Sequence, residues 1–455
     1  MNALEQLAQW AATVSPEHTS TAYEWATQSL IDTMGCMIAG SEYETPQTAF
    51  TVVSQWGTGS SSVAGQAKKL PALWAALVNS SSANALDFNS WAPTTAAFTP
   101  STIISALLAI AEEQHYDGKA VLDALIVGLE VAMRIGEAVN LGHYHGGWHT
   151  SATMDTIGAA AGCARLLGLD EKQMAYAMSI SISRAAGFKS QFGTMTKVLH
   201  CGMAAQTGVM AAQFAAGGFD AGMDTLDGHW SFLTLMGGEN PAGFDKPLAK
   251  LGEILAIDQF GIVFKPFPTC AYTHRALDGL LTLRKKYNLT LDDVDTVFVR
   301  IPAHNAAILV YPEPKSESEA RFSMPYCIAT ALYMGNLTAS DFLEDALWRV
   351  PVRNFLSRVI LETHPVKENS SDLDAQEPAL VTIQLHNGER LNARVDLAKG
   401  LPTRPFSKAD LTGKYHSLAD PVYGSAKSKE ILALLYNFTD EEAVPSLMRL
   451  LRSEK

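Results

Sequence analysis

Phe264-Lys265-Pro266-Phe267-Pro268 is where the chain changes character. On its N-terminal side, residues 1 to about 256 read almost entirely as helices. Apolar residues recur at three- and four-residue spacing over Ala22–Ala39, Ser101–Glu113, Lys119–Asn140, Ser151–Leu167, Glu171–Ala186 and Gly202–Ala216. Several of these segments are dense in small residues, above all Gly158-Ala159-Ala160-Ala161-Gly162-Cys163-Ala164. Small side chains let helix axes approach closely, which predicts the centre of a bundle. On the C-terminal side, Thr296–Ile301 alternates, and Val359–Leu361 and Leu380–Leu385 are rich in β-branched residues. His386-Asn387-Gly388 then supplies an Asn-Gly hairpin turn into Leu391–Val395. Helical spacing returns at Thr273–Lys286, Pro325–Met334 and Ala339–Ala346, and after Leu401-Pro402 at Lys427–Tyr436 and Glu441–Leu451. The expected fold is mainly α: a large discontinuous all-helical bundle domain (1–265 plus 401–455) with an inserted smaller α+β domain (266–400).

The bulk properties narrow the function. At 455 residues the chain is too long for one ordinary core, and 47% hydrophobic with 18% charged residues describes a compact globular protein. A net charge of −13, with no lysine- or arginine-rich block, argues against nucleic acid as partner. An anionic small molecule stays compatible, because a local cluster of cations can sit inside an acidic protein. The N-terminus has no basic, apolar leader pattern. The most hydrophobic stretch, Ala124–Ile135, is interrupted by Glu130 and Arg134 and is too short to span a bilayer. A cytoplasmic protein without membrane contact is expected. The five cysteines never form a CxxC pair and lie mostly in apolar helical patterns, which reads as buried thiols. Cys201 and Cys270 flank ionisable residues, but no base-and-orienter pattern surrounds either.

Ionisable groups collect at glycine-bearing breaks between the helical segments. Phe192-Gly193-Thr194-Met195-Thr196-Lys197-Val198-Leu199-His200 puts Lys197 at the end of a loop, ahead of a helix expected near Gly202. Such a lysine is either a solvated loop residue or a group that binds a carboxylate or exchanges a proton. The second role needs burial or a neighbouring cation such as His200 to lower its pKa. Gly142-His143-Tyr144-His145-Gly146-Gly147-Trp148-His149 offers three histidines, but the spacing matches no common zinc pattern and no metal is expected. The other reading has Tyr144 as proton donor or base and His149 as anion-binding donor. Pro268-Thr269-Cys270-Ala271-Tyr272-Thr273-His274-Arg275 opens a helix with two cationic side chains, where backbone N–H groups also favour an anion. Arg321–Tyr326 is a further helix entry, in which Tyr326 is a contact hydroxyl or a core aromatic. The chain contains no Walker loop, no GxGxxG after a strand and no GxSxG elbow.

At these residues the chain resembles the MmgE/PrpD family, which includes 2-methylcitrate dehydratase, cis-aconitate decarboxylase and iminodisuccinate epimerase. The resemblance is carried by Leu30–Gly35, Asn84–Phe88, Gly147–Thr153, Phe192–Gly202, Lys265–Asp278 and Ser323–Tyr326. It implies a homodimer, no cofactor, and a positively charged active site between a helical and an α+β domain. It also implies site roles for His149, Lys197, His274 and Tyr326, and pairs Tyr144 with Lys197 as the bases of an epimerase. One departure matters. The Asp-rich run of the dehydratases and decarboxylases, of the type D-[FY]-D-D-T-H, is here Asp87-Phe88-Asn89-Ser90-Trp91-Ala92, and His-Pro-Ser is Thr99-Pro100-Ser101. One carboxylate survives, while the other acids and both histidines are gone. Eliminating water needs an acid on the leaving hydroxyl, whereas racemisation needs two bases and cations beside the carboxylate. The expectation is therefore an epimerase-like enzyme on a small di- or tricarboxylate. Lys197, Tyr144 and His149 would carry the chemistry, with His274, Arg275, Tyr326, His200 and Asp87 binding substrate. The alternatives are a lyase of the dehydratase or decarboxylase type, and a catalytically silent carboxylate-binding protein.

Overall fold

The structure is a computed structural model describing residues 1–365 and 378–453, with Asn140 and Leu141 described by backbone alone. The chain divides into two compact units. One comprises Met1–Ala85, Asn89–Val263 and Ser407–Lys455; the other comprises Leu86–Phe88 and Phe264–Phe406.

The first unit is helical. It contains α1 (Ala3–Thr13), α2 (Ser20–Gly40), α3 (Glu44–Val53), α4 (Ala72–Asn84), α5 (Thr99–Gln114), α6 (Gly118–His145), α7 (Thr150–Leu166), α8 (Glu171–Ile182) and α9 (Met195–Ala216). The short α10 (Phe232–Met236), α11 (Asp245–Ala249) and α12 (Ala256–Phe260) follow. Helix starts are written locally. The Asn2 and Asp170 side chains each accept a backbone N–H three residues on, while Glu5 and Gln173 reach back to the cap N–H. The small-residue run predicted for the bundle centre is α7, buried along nearly its whole length. A methyl added to Gly158 would stand 2.7 Å from the Ala132 Cβ of α6, and one on Gly208 of α9 would stand 2.5 Å from the Ala159 Cβ. Hydrogen is the only side chain that fits between these helices.

The second unit carries α13 (His274–Tyr287), α14 (Ala303–Ala306), α15 (Glu317–Ala320), α16 (Met324–Met334), α17 (Glu344–Leu347) and α18 (Val350–Phe355). Its sheet has the order β2-β1-β3-β4, with β1 (Val294–Pro302), β2 (Val359–His364), β3 (Ala379–Leu385) and β4 (Arg390–Val395). β1 pairs parallel with β2 and antiparallel with β3, and β3–β4 is the hairpin predicted from Asn387-Gly388, where Gly388 has φ 85°. Val297, Val299 and Ile301 of β1 are buried as their alternation requires. The chain then returns to the helical unit through α19 (Lys408–Tyr436) and α20 (Ala443–Leu451). This is the expected mainly α fold with a smaller α+β part. No helix among the described residues is long and apolar enough to cross a membrane.

Several boundaries differ from the sequence reading. α6 continues through Tyr144 to His145, and α9 begins at Met195 rather than near Gly202, so Tyr144 and Lys197 sit on helices, not in loops. Ala339–Ala346 is not one helix: Leu343 is extended (φ −65°, ψ 157°) and separates a 3-10 turn from α17. α19 starts well before Lys427 and is broken at Gly424 (φ 75°, ψ 155°), three residues after Pro421.

Candidate functional site

In the helical unit the groups of interest lie at the starts of α7 and α9. His149 is the residue before α7; its backbone is extended and its N–H donates to the Gly187 carbonyl at 2.9 Å. Gly193 (φ 87°) and extended Thr194 turn the chain into α9, which places Lys197 in the first turn and His200 one turn on, on the same buried side. The Nδ1 atoms of His149 and His200 are 3.0 Å apart, and the two residues are 3% and 8% exposed. A nitrogen–nitrogen contact this short needs one donor, so one Nδ1 carries a proton and the other accepts it. Phe192 meets His149 edge-on at 5.1 Å, and Lys197 Nζ lies 4.7 Å from the Phe98 ring centre. Burial lowers the His200 pKa, and the Lys197 charge lowers it further.

Tyr144, in the last turn of α6, is buried with the Lys189 ammonium 3.9 Å above its ring centre. Burial holds the Lys189 pKa below its usual value. His143 faces elsewhere. Its Nδ1–H donates to the Met236 carbonyl at 2.7 Å, and its Nε2 accepts from Thr153 at 2.8 Å. Burial pushes its pKa down to about 4, so it is a neutral structural imidazole. Among the described residues no three His, Cys, Asp or Glu side chains converge as a metal ion would need. All five cysteines are free thiols and buried, and burial raises the Cys163 and Cys327 pKa values.

The segment that departs from the Asp-rich pattern is neutral and hydrogen-bonded in the helical unit. Asn89 Nδ2 donates to Asn84 Oδ1 (2.9 Å) and to Ser101 Oγ (2.7 Å). The Ser90 N–H donates to Asp32 Oδ2 at 2.7 Å, and Lys414 Nζ is 2.6 Å from Asp32 Oδ1. Thr99 donates to Asp155 Oδ1 at 2.6 Å. Asp155 is enclosed by α5 and α7; burial pushes its pKa up to about 8, against the hydrogen bonds of Thr99, Ser151 and Thr102.

In the α+β unit, Lys265 Nζ is 3.2 Å from Asp87 Oδ1 and donates to the carbonyls of Asp87 (2.9 Å) and Thr269 (3.1 Å). Asp87 has φ 49°, a conformation unusual for a non-glycine residue. This buried pair ties Leu86–Phe88 to the start of the unit. The Asp87 carboxylate, expected to bind substrate, thus faces the Lys265 ammonium. Arg321 reinforces the same joint, donating to the carbonyls of Leu86 and Pro268, both at 2.7 Å. Tyr326, expected at the site, lies in the interior of the same unit. It is wholly buried, its hydroxyl donates to the Asp341 carbonyl, and burial pushes its pKa up to about 12. It is a core aromatic packed on Phe342. His274 and Arg275 open α13, both buried. His274 Nε2–H donates to the Thr269 carbonyl at 3.2 Å, and Arg275 Nε donates to the Asp396 carbonyl at 3.1 Å.

Comparison with known proteins matches residues 5–245 to the MmgE/PrpD N-terminal domain and residues 267–438 to the MmgE/PrpD C-terminal domain, the second match running on into α19 of the helical unit. The chain belongs to the MmgE/PrpD family. Human cis-aconitate decarboxylase is 28% identical to this MmgE/PrpD chain over 452 residues, covering 95% of this chain and 91% of the relative. Cis-aconitate decarboxylase of Aspergillus terreus (strain NIH 2624 / FGSC A1156) is 26% identical over 470 residues, covering 98% and 95%. The mouse cis-aconitate decarboxylase is 28% identical over 402 residues, covering 84% and 79%. Within this MmgE/PrpD chain the structure brings together Lys197, His149 and His200, and separately His274 with Arg275 at one helix start. The sequence reading gave no role to Lys189, or to Lys265 and Asp155. A lysine directly after an aromatic residue in a Gly-containing loop, Gly187-Phe188-Lys189, was the only signal for the first. Lys265 stood in the quoted boundary motif without an assigned partner, since ion pairs distant in sequence leave no local pattern.

Proposed function

We propose that the protein is a cofactor-independent carbon–carbon lyase that decarboxylates a small unsaturated tricarboxylate of the cis-aconitate type. The observation that carries this reading is the buried nitrogen cluster of Lys197, His149 and His200 at two helix starts, in a chain related over nearly its whole length to cis-aconitate decarboxylases. When CO₂ leaves a carbon next to a double bond, the electron pair of the broken bond spreads over the allylic carbons and a proton must be delivered to one of them. Cations near the remaining carboxylates stabilise the charge that builds up, most strongly where water is excluded. Lys197 and His149 are placed to hold a carboxylate and to supply the proton, aided by the N-terminal ends of α7 and α9. His274 and Arg275, the two buried basic residues that open α13, are assigned to carboxylate binding. The active species is proposed to be a homodimer. Decarboxylation needs no acid on a leaving hydroxyl, so its chemistry does not require the lost acids, although the departure at Asn89–Ala92 and Thr99 is from a pattern that the resembled decarboxylases share with the dehydratases.

A second reading, a two-base epimerase of iminodisuccinate, is favoured by one observation: the Lys189 ammonium stands 3.9 Å over the Tyr144 ring, so a phenol and a cation that could neutralise a carboxylate lie side by side. Proton NMR in D₂O with cis-aconitate, iminodisuccinate stereoisomers and 2-methylcitrate separates the readings. The expected result is loss of CO₂ from cis-aconitate with one olefinic product, reduced at least about a hundredfold in Lys197→Ala. Exchange of an α-proton of iminodisuccinate with its skeleton intact would replace the lyase with the epimerase. Binding without turnover of any of the three would leave a silent carboxylate-binding protein.

A further inference from the structure

His200 was expected to touch substrate, yet its closest polar neighbour is another imidazole. Its Nδ1 faces the Nδ1 of His149 at 3.0 Å. Two neutral rings in this contact hold one proton between the Nδ1 atoms, and each then has its remaining state fixed. If His200 donates, His149 must keep its own proton on Nε2 and present an N–H. If His149 donates, its Nε2 becomes a bare acceptor. The contact is held from several sides. Gly187 accepts the His149 backbone N–H at 2.9 Å, and a methyl on Gly187 would fall 2.4 Å from the Ala152 Cβ and 3.2 Å from two atoms of the His200 ring. The edge-on Phe192 ring fixes the tilt of His149. Lys197, one turn before His200 on α9, opposes a second proton on the pair.

We propose that His200 is a positioning residue that donates its Nδ1–H to His149 Nδ1 and so holds His149 as the Nε2–H tautomer. That form, held by His200 before any ligand arrives, is the one that serves an anion, because a carboxylate accepts from N–H and is repelled by a lone pair. The direction of donation therefore rests on the carboxylate reading of the site, while the shared proton rests on geometry alone. Gly187 is the backstop that keeps the His200 ring in place.

The test is imidazole nitrogen NMR of the ligand-free full chain with isotope-labelled histidine, the His149 signals being assigned by their loss in His149→Gln. The expected result is a His149 ring with unprotonated Nδ1 and protonated Nε2. In His200→Leu the same ring should become a mixture of tautomers, with kcat/KM for cis-aconitate down about tenfold or more. In His200→Asn, whose side-chain amide donates from nearly the same position as Nδ1, the single tautomer and most of the activity should return. A protonated Nδ1 on His149 in the wild-type chain overturns the proposal, and that measurement does not depend on whether His200→Leu folds. An unchanged His149 tautomer in His200→Leu overturns it as well. Absence of CO₂ release from cis-aconitate with the expected His149 spectrum would instead remove the decarboxylase reading and leave the tautomer lock standing.

Discussion

Lys265 in the α+β unit and Lys197 in the helical unit are both buried lysines, 2% and 5% exposed, set among different neighbours. Lys265 ends on oxygen: the Asp87 carboxylate and two backbone carbonyls. Lys197 lies over the Phe98 ring, one turn from an imidazole that is itself in contact with a second imidazole. The first arrangement neutralises a charge and fastens Leu86–Phe88 to its unit. The second collects nitrogen donors, which is what an anion requires and what a fold on its own does not. Burial of a lysine therefore says little until its neighbours are known.

That contrast predicts opposite failures. Lys265→Met leaves the Asp87 carboxylate buried without its cation, a loss of about 3–5 kcal/mol by the usual cost of breaking a buried pair. It should appear as a large fall in the urea midpoint. Lys197→Met should move the midpoint little, since a lysine over an aromatic face contributes about 0.5–2 kcal/mol, but should remove turnover. If Lys265→Met proves as stable as the parent, or Lys197→Met retains activity, the distinction fails.

A smaller effect concerns how the helical unit treats its own buried acid. Asp155 receives hydroxyl donors rather than a cation, and its pKa is pushed up to about 8 by burial. The folded chain then keeps a proton that the unfolded chain has released above about pH 3.9. The stability contributed is fully present below that pH and is lost as pH rises through about 8. The slope in this window is at most about 1.4 kcal/mol per pH unit for one proton. Asp155→Asn keeps the shape and removes the titration, so its stability relative to the parent should improve between pH 5 and pH 8. Urea unfolding at the two pH values measures this. Equal slopes for variant and parent would mean that Asp155 is ionised in the fold.

Much of the fold was written locally. The strand alternation around Val297 and Val299, the Asn387-Gly388 turn and the small-residue run of α7 all survive in the structure, because period and turn chemistry act over a few residues. Helix ends were less legible. Thr194 and Gly193 start α9 early through backbone conformation, and neither residue type demands that start. The site was legible as residue types but not as partners. Lys197, His149 and His200 could be picked out as ionisable groups near glycines, whereas the Nδ1–Nδ1 contact depends on α7 and α9 lying side by side. The same long-range pairing hid the structural role of Asp87, whose partner Lys265 is 178 residues away.

The smallest expected effect is the most direct check on Tyr326. Family resemblance placed it in the site, while the structure gives its hydroxyl to the Asp341 carbonyl in a fully buried setting beside Phe342. Tyr326→Phe removes one oxygen and leaves a carbonyl without that donor, a cost of about 1–3 kcal/mol for an unsatisfied buried acceptor. The ring packing stays. Stability should therefore fall modestly while kcat and KM for the turned-over substrate stay within about twofold, as expected of a group that makes no contact with the transition state. A large loss of kcat at unchanged stability would show that the hydroxyl leaves Asp341 during turnover. It would then place Tyr326 with Lys197 among the groups that act on substrate, and not with Lys265 among those that hold the fold.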